Sequence, residues 1–139
     1  MFFNSEEEIE IERKKWSLTR EEYEKNFKKV FEKLVLIGKV SYSPNATFVM
    51  VGGQAGSGKS KLVSKEVKNL SNGAIIIDQD VLRTTYPKYS QIIKKYTERE
   101  EYILLKKYTD KLVNDIINVA SNKRYNIVFE SALRGGKNL

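Results

Sequence analysis

Two residue types that carry much of protein chemistry are missing from this sequence of 139 residues, which has no cysteine and no histidine. Without cysteine the chain forms neither disulfides nor thiolate metal sites. Without histidine no imidazole is available as a base, a nucleophile or a metal ligand. Any general base must therefore be a carboxylate, a lysine or a tyrosine.

Long apolar runs are missing as well. No stretch approaches the roughly 18 apolar residues that span a bilayer, and the acidic residues 6–8 differ from the basic flank of a signal peptide. We therefore expect a cytoplasmic protein without a membrane partner. The net charge of +7 favours polyanions such as nucleotides. Because the basic residues are scattered rather than gathered in a stripe, nucleic acid is not an expected partner.

The first 44 residues have a helical pattern. A charge-dense segment through Lys15 predicts one helix, and Thr19 with Glu22 has the form of a capping box that begins a second. Gly38 is its expected end. The apolar residues of the second helix fall on one face: Tyr23, Phe27, Val30, Phe31 and Leu34. We predict that this helical segment, residues 1–44, packs on a core formed by residues 45–139.

Three short apolar runs in the second part predict buried strands at residues 46–51, 74–77 and 126–129. Helical patterns follow the first strand and cover residues 59–70, 89–96 and 100–122. Strands that alternate with helices predict an α/β fold, here a three-layer core with a parallel sheet buried on both faces. Ligands of such sheets bind beyond the carboxyl ends of the strands.

The first strand ends in a complete phosphate-binding motif, G-x-x-x-x-G-K-[ST]. It comprises Gly53, Gln54, Ala55, Gly56, Ser57, Gly58, Lys59 and Ser60. Its glycines allow backbone N–H groups to surround a phosphate, Lys59 reaches the β- and γ-phosphates, and the Ser60 hydroxyl ligates magnesium. An accidental match is disfavoured because a strand precedes the motif and a helix follows it.

Carboxylates follow the other two strands. Asp78 and Asp80 come at the end of the second strand, where a carboxylate can hold an acceptor hydroxyl and take its proton. Asp80 is the better base because it lies further beyond the strand. The alternative is that these residues only cap a helix or solvate a turn. Glu130 ends the third strand, and if that strand lies beside the first, Glu130 is placed near the magnesium ion.

Four further residues are candidates for substrate contacts. Arg134, beyond the third strand, is able to grip a phosphate bidentately, with a surface charge as the alternative. Arg83 and Tyr89 follow Asp80 on the acceptor side, and Tyr96 has a ring suited to stacking on a base or sugar. For Arg83 the alternative is a helix-surface charge, and for the two tyrosines it is a core position.

With these motifs the sequence resembles the zeta toxins, the P-loop kinases of epsilon/zeta toxin–antitoxin pairs. The resemblance runs from about Thr19 to Arg134, in matching order and spacing. It rests on the glycine-rich motif with its Gly52-Gly53-Gln54 lead-in, the Asp78-x-Asp80 pair, and the Glu130-x-x-x-Arg134 strand end.

The resemblance implies a kinase that uses ATP or GTP with Mg²⁺ to phosphorylate the 3′-hydroxyl of the amino sugar in UDP-N-acetylglucosamine. It also implies an antitoxin as partner. By the same resemblance Lys59 and Ser60 hold nucleotide and metal, and Asp80 is the general base. Glu130 faces metal or substrate, and Arg134 contacts the sugar nucleotide.

The sequence also departs from the family pattern. Ser131 and Ala132 stand where the family usually has Gly-Thr, and Thr85 and Tyr86 where it has Gln-His. Family members also continue beyond the position of Leu139, so we expect a C-terminally truncated or compact variant. Its sheet is then expected to leave an edge uncovered, which favours self-association. Slow turnover is expected because the sequence up to Leu139 offers no lid helix bearing arginines. The alternatives are another P-loop kinase, such as a polynucleotide 5′-hydroxyl kinase, or an inactive nucleotide-binding remnant that binds an antitoxin.

Overall fold

The structure, a computed structural model, describes residues 3–53, 61, 65, 67 and 69–132. It is an α/β protein in which helices surround a parallel sheet of three strands. The predicted phosphate-binding residues 54–60 and Arg134 lie outside the described residues. Among the described helices none is long and apolar enough to cross a membrane.

Two N-terminal helices form as the sequence predicts. Helix α1 covers Glu6–Lys15, and its first turn is capped by the Ser5 hydroxyl. Helix α2 covers Arg20–Gly38. Its start is fixed by a complete capping box, in which the Thr19 hydroxyl accepts the N–H of Glu22 and the Glu22 carboxylate accepts the N–H of Thr19. These bonds satisfy donors that the first turn leaves without helical partners.

The sheet contains strands β1 (Phe48–Gly53), β2 (Ile75–Asp78) and β3 (Ile127–Ala132). Their order is β1-β3-β2 and both pairings are parallel. The sequence placed Glu130 near the phosphate-binding motif only if the third strand lies beside the first. The structure has this strand order. β1 and β2 each pair with β3 and not with one another.

Three helices lie between β2 and β3: α3 (Gln79–Arg83), α4 (Tyr89–Lys95) and α5 (Glu98–Asn122). The last two were expected from periodicity. The five-residue helix α3 was not, although helix capping was an alternative for Asp78 and Asp80. After β1, positions 61, 65, 67 and 69 are helical, in agreement with the predicted helix over residues 59–70.

Apolar side chains cover both faces of the sheet. On one face α2 and α5 pack on β2 and β3, with Ile75, Ile77, Leu112 and Ile116 fully buried. On the other face Val51, Ala74 and Val128 pack with Val67 and Leu70 from the segment after β1. A second cluster, with Phe3, Ile92 and Leu105, fixes α1 against α4 and α5. The predicted three-layer arrangement follows from these contacts.

One buried side chain joins the amino ends of all three strands. Asn126, just before β3, accepts the N–H of Thr47 at 2.9 Å and donates to the carbonyl of Gly73 at 2.9 Å. The backbone carbonyl of Asn126 accepts the N–H of Ile75 at 2.8 Å. Because Thr47 precedes β1 and Gly73 precedes β2, these bonds fix the register of the three strands relative to one another.

The prediction that β1 is buried on both faces is wrong. Phe48 is 49% exposed and Met50 is 66% exposed. The reason is non-local, because these two side chains share the face of Ile127 and Phe129, where α2 and α5 pack on β2 and β3. Among the described residues β1 is also an edge strand of the sheet, as expected.

Candidate active site

The carboxyl edge of the sheet brings together the ends of all three strands. In the sheet register Glu130 pairs with Val51 on one side and with Asp78 on the other. Partners in adjacent parallel strands point to the same face, and side chains two residues apart along a strand do so as well. Asp78 and Glu130 therefore share the face that carries Ile76 and Val128, which is the face toward the segment that follows the phosphate-binding motif.

Asp78 caps helix α3. Its Oδ1 accepts the N–H of Asp80 at 3.0 Å and that of Val81 at 3.4 Å. Its backbone is extended, as is usual for an N-cap residue. The structure thus places Asp78 in the capping role that the sequence left open as an alternative. A role in substrate binding stays a prediction.

Asp80 lies in the first turn of α3, beyond the strand end, where the sequence placed the general base. Its side chain is 48% exposed, so a substrate hydroxyl can reach the carboxylate. Arg83 lies one turn further on, and its Nη1 donates to Asp80 Oδ1 at 3.0 Å. This ion pair limits the rotamers open to the carboxylate.

Arg83 is largely buried, not a helix-surface charge. Its Nε donates to Glu101 on α5 at 3.1 Å, in addition to the bond with Asp80. Burial lowers the pKa of Arg83, but the two carboxylates outweigh this effect and the net pKa is raised. Burial also raises the pKa of Tyr89, and the negative charge of the nearby Glu101 adds to this effect. Arg83 therefore bridges Asp80 and Glu101, and Tyr89 lies near Glu101.

Sequence reasoning missed Glu101. Helical spacing indicated its burial, because position 101 lies one turn before Leu105 on the buried face of α5. A glutamate near a helix start is ordinarily explained by the helix dipole, and only the contact with Arg83 distinguishes this one.

Tyr96 is a core residue in the structure. Its ring packs on Phe3 and Trp16, with centroids 6.1 and 6.2 Å away. Its hydroxyl accepts the Trp16 Nε1–H at 2.9 Å and donates to Glu12. This is the core position that the sequence left open. Of the four substrate candidates, Arg83 contacts Asp80 and Tyr89 lies near Arg83 and Glu101, whereas Arg134 lies outside the described residues.

A groove of about 870 Å³ lies between α2, α5 and the end of α1. Inside it the Tyr23 hydroxyl donates to Asp115 Oδ2 at 2.6 Å, and Lys111 Nζ donates to the same oxygen at 3.1 Å. Burial and the bond to Asp115 raise the pKa of Tyr23. Apolar walls are formed by Leu18, Phe27, Leu104 and Val119. The sequence did not predict this groove, because its walls come from helices that are distant along the chain.

Taken together, the glycine-rich motif after β1, the helical positions behind it and the parallel sheet define an α/β protein of the P-loop class. A family model described as Zeta toxin matches residues 38–138. Toxin zeta of Enterococcus hirae is 33% identical over 103 residues, which are 74% of this chain and 35% of the relative. Toxin zeta of Streptococcus pyogenes is 29% identical over 118 residues, 85% of this chain and 40% of the relative. The chain therefore belongs to the zeta toxin family.

A solved structure shares the fold. It comes from the characterization of the PezAT chromosomal toxin–antitoxin system of Streptococcus pneumoniae, with a TM-score of 0.74 at 23% identity. The match covers 88% of this chain and 50% of that one. The chain spans about two fifths or less of the length of the curated relatives given above.

Proposed function

We propose that this protein is a zeta-toxin-like kinase that transfers the γ-phosphate of ATP or GTP to a hydroxyl of a small acceptor. The proposed acceptor is the 3′-hydroxyl of the amino sugar in UDP-N-acetylglucosamine. The observation that supports this best is the meeting of three strand ends at one edge. β1 leads into the phosphate-binding motif, β3 carries Glu130 two residues before its end, and the half-exposed Asp80 follows β2.

The donor set at this edge suits magnesium. Asp78 and Glu130 are oxygen ligands on one face of the sheet, and the Ser60 hydroxyl belongs to the adjacent motif. The described residues contain no group of three or more metal-ligating side chains. We therefore propose that Ser60 and Glu130 hold Mg²⁺, with phosphate oxygens and water as its other ligands. When bound, the ion would neutralise charge on the phosphates.

In this reaction Asp80 accepts the proton of the acceptor hydroxyl as its oxygen forms a bond to the γ-phosphorus. The bond to the nucleoside diphosphate breaks, and that product carries away the electron pair. Lys59 holds the β- and γ-phosphates, and Arg134 contacts the sugar nucleotide. Tyr89 and Arg83 lie on the acceptor side of Asp80.

The experiment compares acceptors. Purified protein is incubated with γ-labelled ATP or GTP, Mg²⁺ and either UDP-N-acetylglucosamine or a DNA with a free 5′-hydroxyl. We expect label on the sugar nucleotide. Label on DNA alone would select the polynucleotide kinase, and nucleotide binding without transfer would select the inactive remnant.

Nucleotide binding itself is tested with Lys59→Ala. This change removes the cation proposed to lie among the phosphates, so affinity for an ATP analogue with Mg²⁺ should fall by about tenfold or more. Lys61→Ala removes an exposed helical lysine two residues later and is the matched control. Equal affinity of both variants and the wild type would contradict the proposal.

An antitoxin partner is also proposed. The solved relative comes from a toxin–antitoxin system, and the exposed Phe48 and Met50 show apolar surface at the sheet edge. Co-purification with the product of a neighbouring gene, tested by size exclusion, would support this partner. Separate elution of the two proteins at micromolar concentration would contradict it.

A further inference from the structure

Glu101 is a buried carboxylate that the proposed reaction does not yet use. It is 3% exposed, and an ionised carboxylate is held in such a place only when cations or donors compensate its lost hydration. Arg83 does so here, because its Nε donates to Glu101 Oε1 at 3.1 Å.

The guanidinium of Arg83 is held at three points. Its Nε binds Glu101, its Nη1 binds Asp80 at 3.0 Å, and its Cζ lies 5.3 Å from the centre of the Tyr102 ring. The side chain of Arg83 is 12% exposed. Buried Glu101 is therefore the fixed end of this chain of contacts, and Asp80 is its accessible end.

The charges matter as much as the geometry. When a carboxylate is the only partner of an arginine, the whole positive charge acts on it and favours its ionised form. Such a carboxylate is a weaker proton acceptor. Here Arg83 contacts two carboxylates, so its single positive charge is shared between Glu101 and Asp80. Arg83 can then orient Asp80 without pairing its whole charge with that one carboxylate.

We propose that Glu101 is a positioning residue for the phosphoryl transfer. It holds Arg83, and through Arg83 it sets the orientation of Asp80. This inference rests on the proposed function for its effect on turnover, whereas the contact between Glu101 and Arg83 is tested without any turnover.

The kinetic test uses Glu101→Gln, which keeps the size and an acceptor oxygen but removes the charge. We expect kcat to fall by about tenfold, within the range of couplings in one ion-pair network, with the nucleotide KM unchanged. Glu100→Gln is the matched control. Glu100 is 2% exposed, and its carboxylate accepts the N–H of Thr97 in the capping box of α5.

A mutant cycle separates positioning from general destabilisation. If Glu101 acts through Arg83, the double variant Arg83→Gln/Glu101→Gln loses no more kcat than Arg83→Gln alone. Losses that multiply in the double variant would overturn the proposal, as would an equal loss of kcat in Glu100→Gln.

The Nε–Hε resonance of Arg83 in ¹⁵N NMR gives the second readout. We expect exchange of this hydrogen with water to accelerate in Glu101→Gln but not in Glu100→Gln. If Glu101→Gln does not fold, Glu101→Asp, which shortens the side chain by one methylene, is measured in its place with the same expectation. An Arg83 resonance that is unchanged, or that changes equally in the control, overturns the proposal. If the Arg83 resonance changes in Glu101→Gln but the wild type shows no turnover, only the proposed kinase function is contradicted.

Discussion

Asp78 and Glu130 are register partners on neighbouring parallel strands, and both side chains lie on the same face of the sheet. Neighbouring strands are about 4.8 Å apart, so the register brings two carboxylate side chains to the same part of the sheet, beside the predicted phosphate-binding motif. Carboxylate oxygens are common ligands of Mg²⁺ in proteins. The pair is therefore in keeping with the proposal of a magnesium ion at this edge.

The first prediction separates the two aspartates. Asp80→Asn keeps size and hydrogen bonding but removes the proton acceptor, so turnover should fall by roughly a hundredfold or more. Asp78→Asn keeps an amide oxygen able to cap α3, because asparagine is as good an N-cap as aspartate. Its thermal midpoint should stay near that of the wild type. Steady-state kinetics and equilibrium nucleotide binding are measured for both variants and the wild type. Full turnover in Asp80→Asn would show that the general base is assigned wrongly.

The second prediction concerns Asn126. Replacing it by alanine leaves the N–H of Thr47 and the carbonyl of Gly73 without the partners seen in the structure. An unsatisfied buried group costs about 1–3 kcal/mol. Because Thr47 is exposed and Gly73 is half-buried, the free energy of unfolding should fall by roughly 1–3 kcal/mol in total. Urea unfolding measures it. Asn114→Ala, on the exposed face of α5, is the control and should change little.

The third prediction is a loss of stability in alkali. Burial raises the pKa of Tyr23 and raises that of Tyr86 to about 12. Above pH 10 the unfolded state loses these phenolic protons while the folded state keeps them, so stability falls as pH rises from 10 toward 12. Each such tyrosine contributes at most about 1.4 kcal/mol per pH unit.

Tyr23→Phe should therefore make the decline of the thermal midpoint above pH 10 shallower. Tyr42→Phe, at an exposed position, is the control. Parallel declines in wild type and Tyr23→Phe would contradict this origin of the pH dependence.

The fourth prediction concerns the uncovered edge. Phe48 and Met50 project from β1 into solvent, and exposed apolar edge strands promote association. Met50→Lys should shift sedimentation toward the monomer at concentrations where the wild type associates. Leu36→Lys, which changes an exposed leucine of α2, should have little effect. A monomeric wild type at all concentrations would remove the basis for this prediction.

Local signals predicted much of the fold. The capping box at Thr19 and Glu22 fixed the start of α2, and continuous apolar runs located the three strands. Both signals act within a few residues of the chain. The short helix α3 was missed although its N-cap, Asp78, is a residue typical of that position.

What the sequence did not predict depends on distant contacts. The exposure of Met50 depends on where α2 and α5 pack on the sheet, and buried Glu101 is paired with an arginine 18 positions away. Among the site residues, Asp80 lies where it was predicted to lie. The roles of Asp78, Arg83 and Tyr89 in substrate binding stay predictions, as do those of Lys59, Ser60 and Arg134.

The central position of β3 also has a consequence for synthesis. The two described pairings of the sheet both involve residues 127–132, although β1 and β2 come far earlier in the chain. During translation no native strand pairing of this sheet can form until β3 has left the ribosome. Until then β1 and β2 offer apolar strands without their neighbour, so the nascent chain depends on its helices, and on any chaperone that covers these strands, to avoid aggregation.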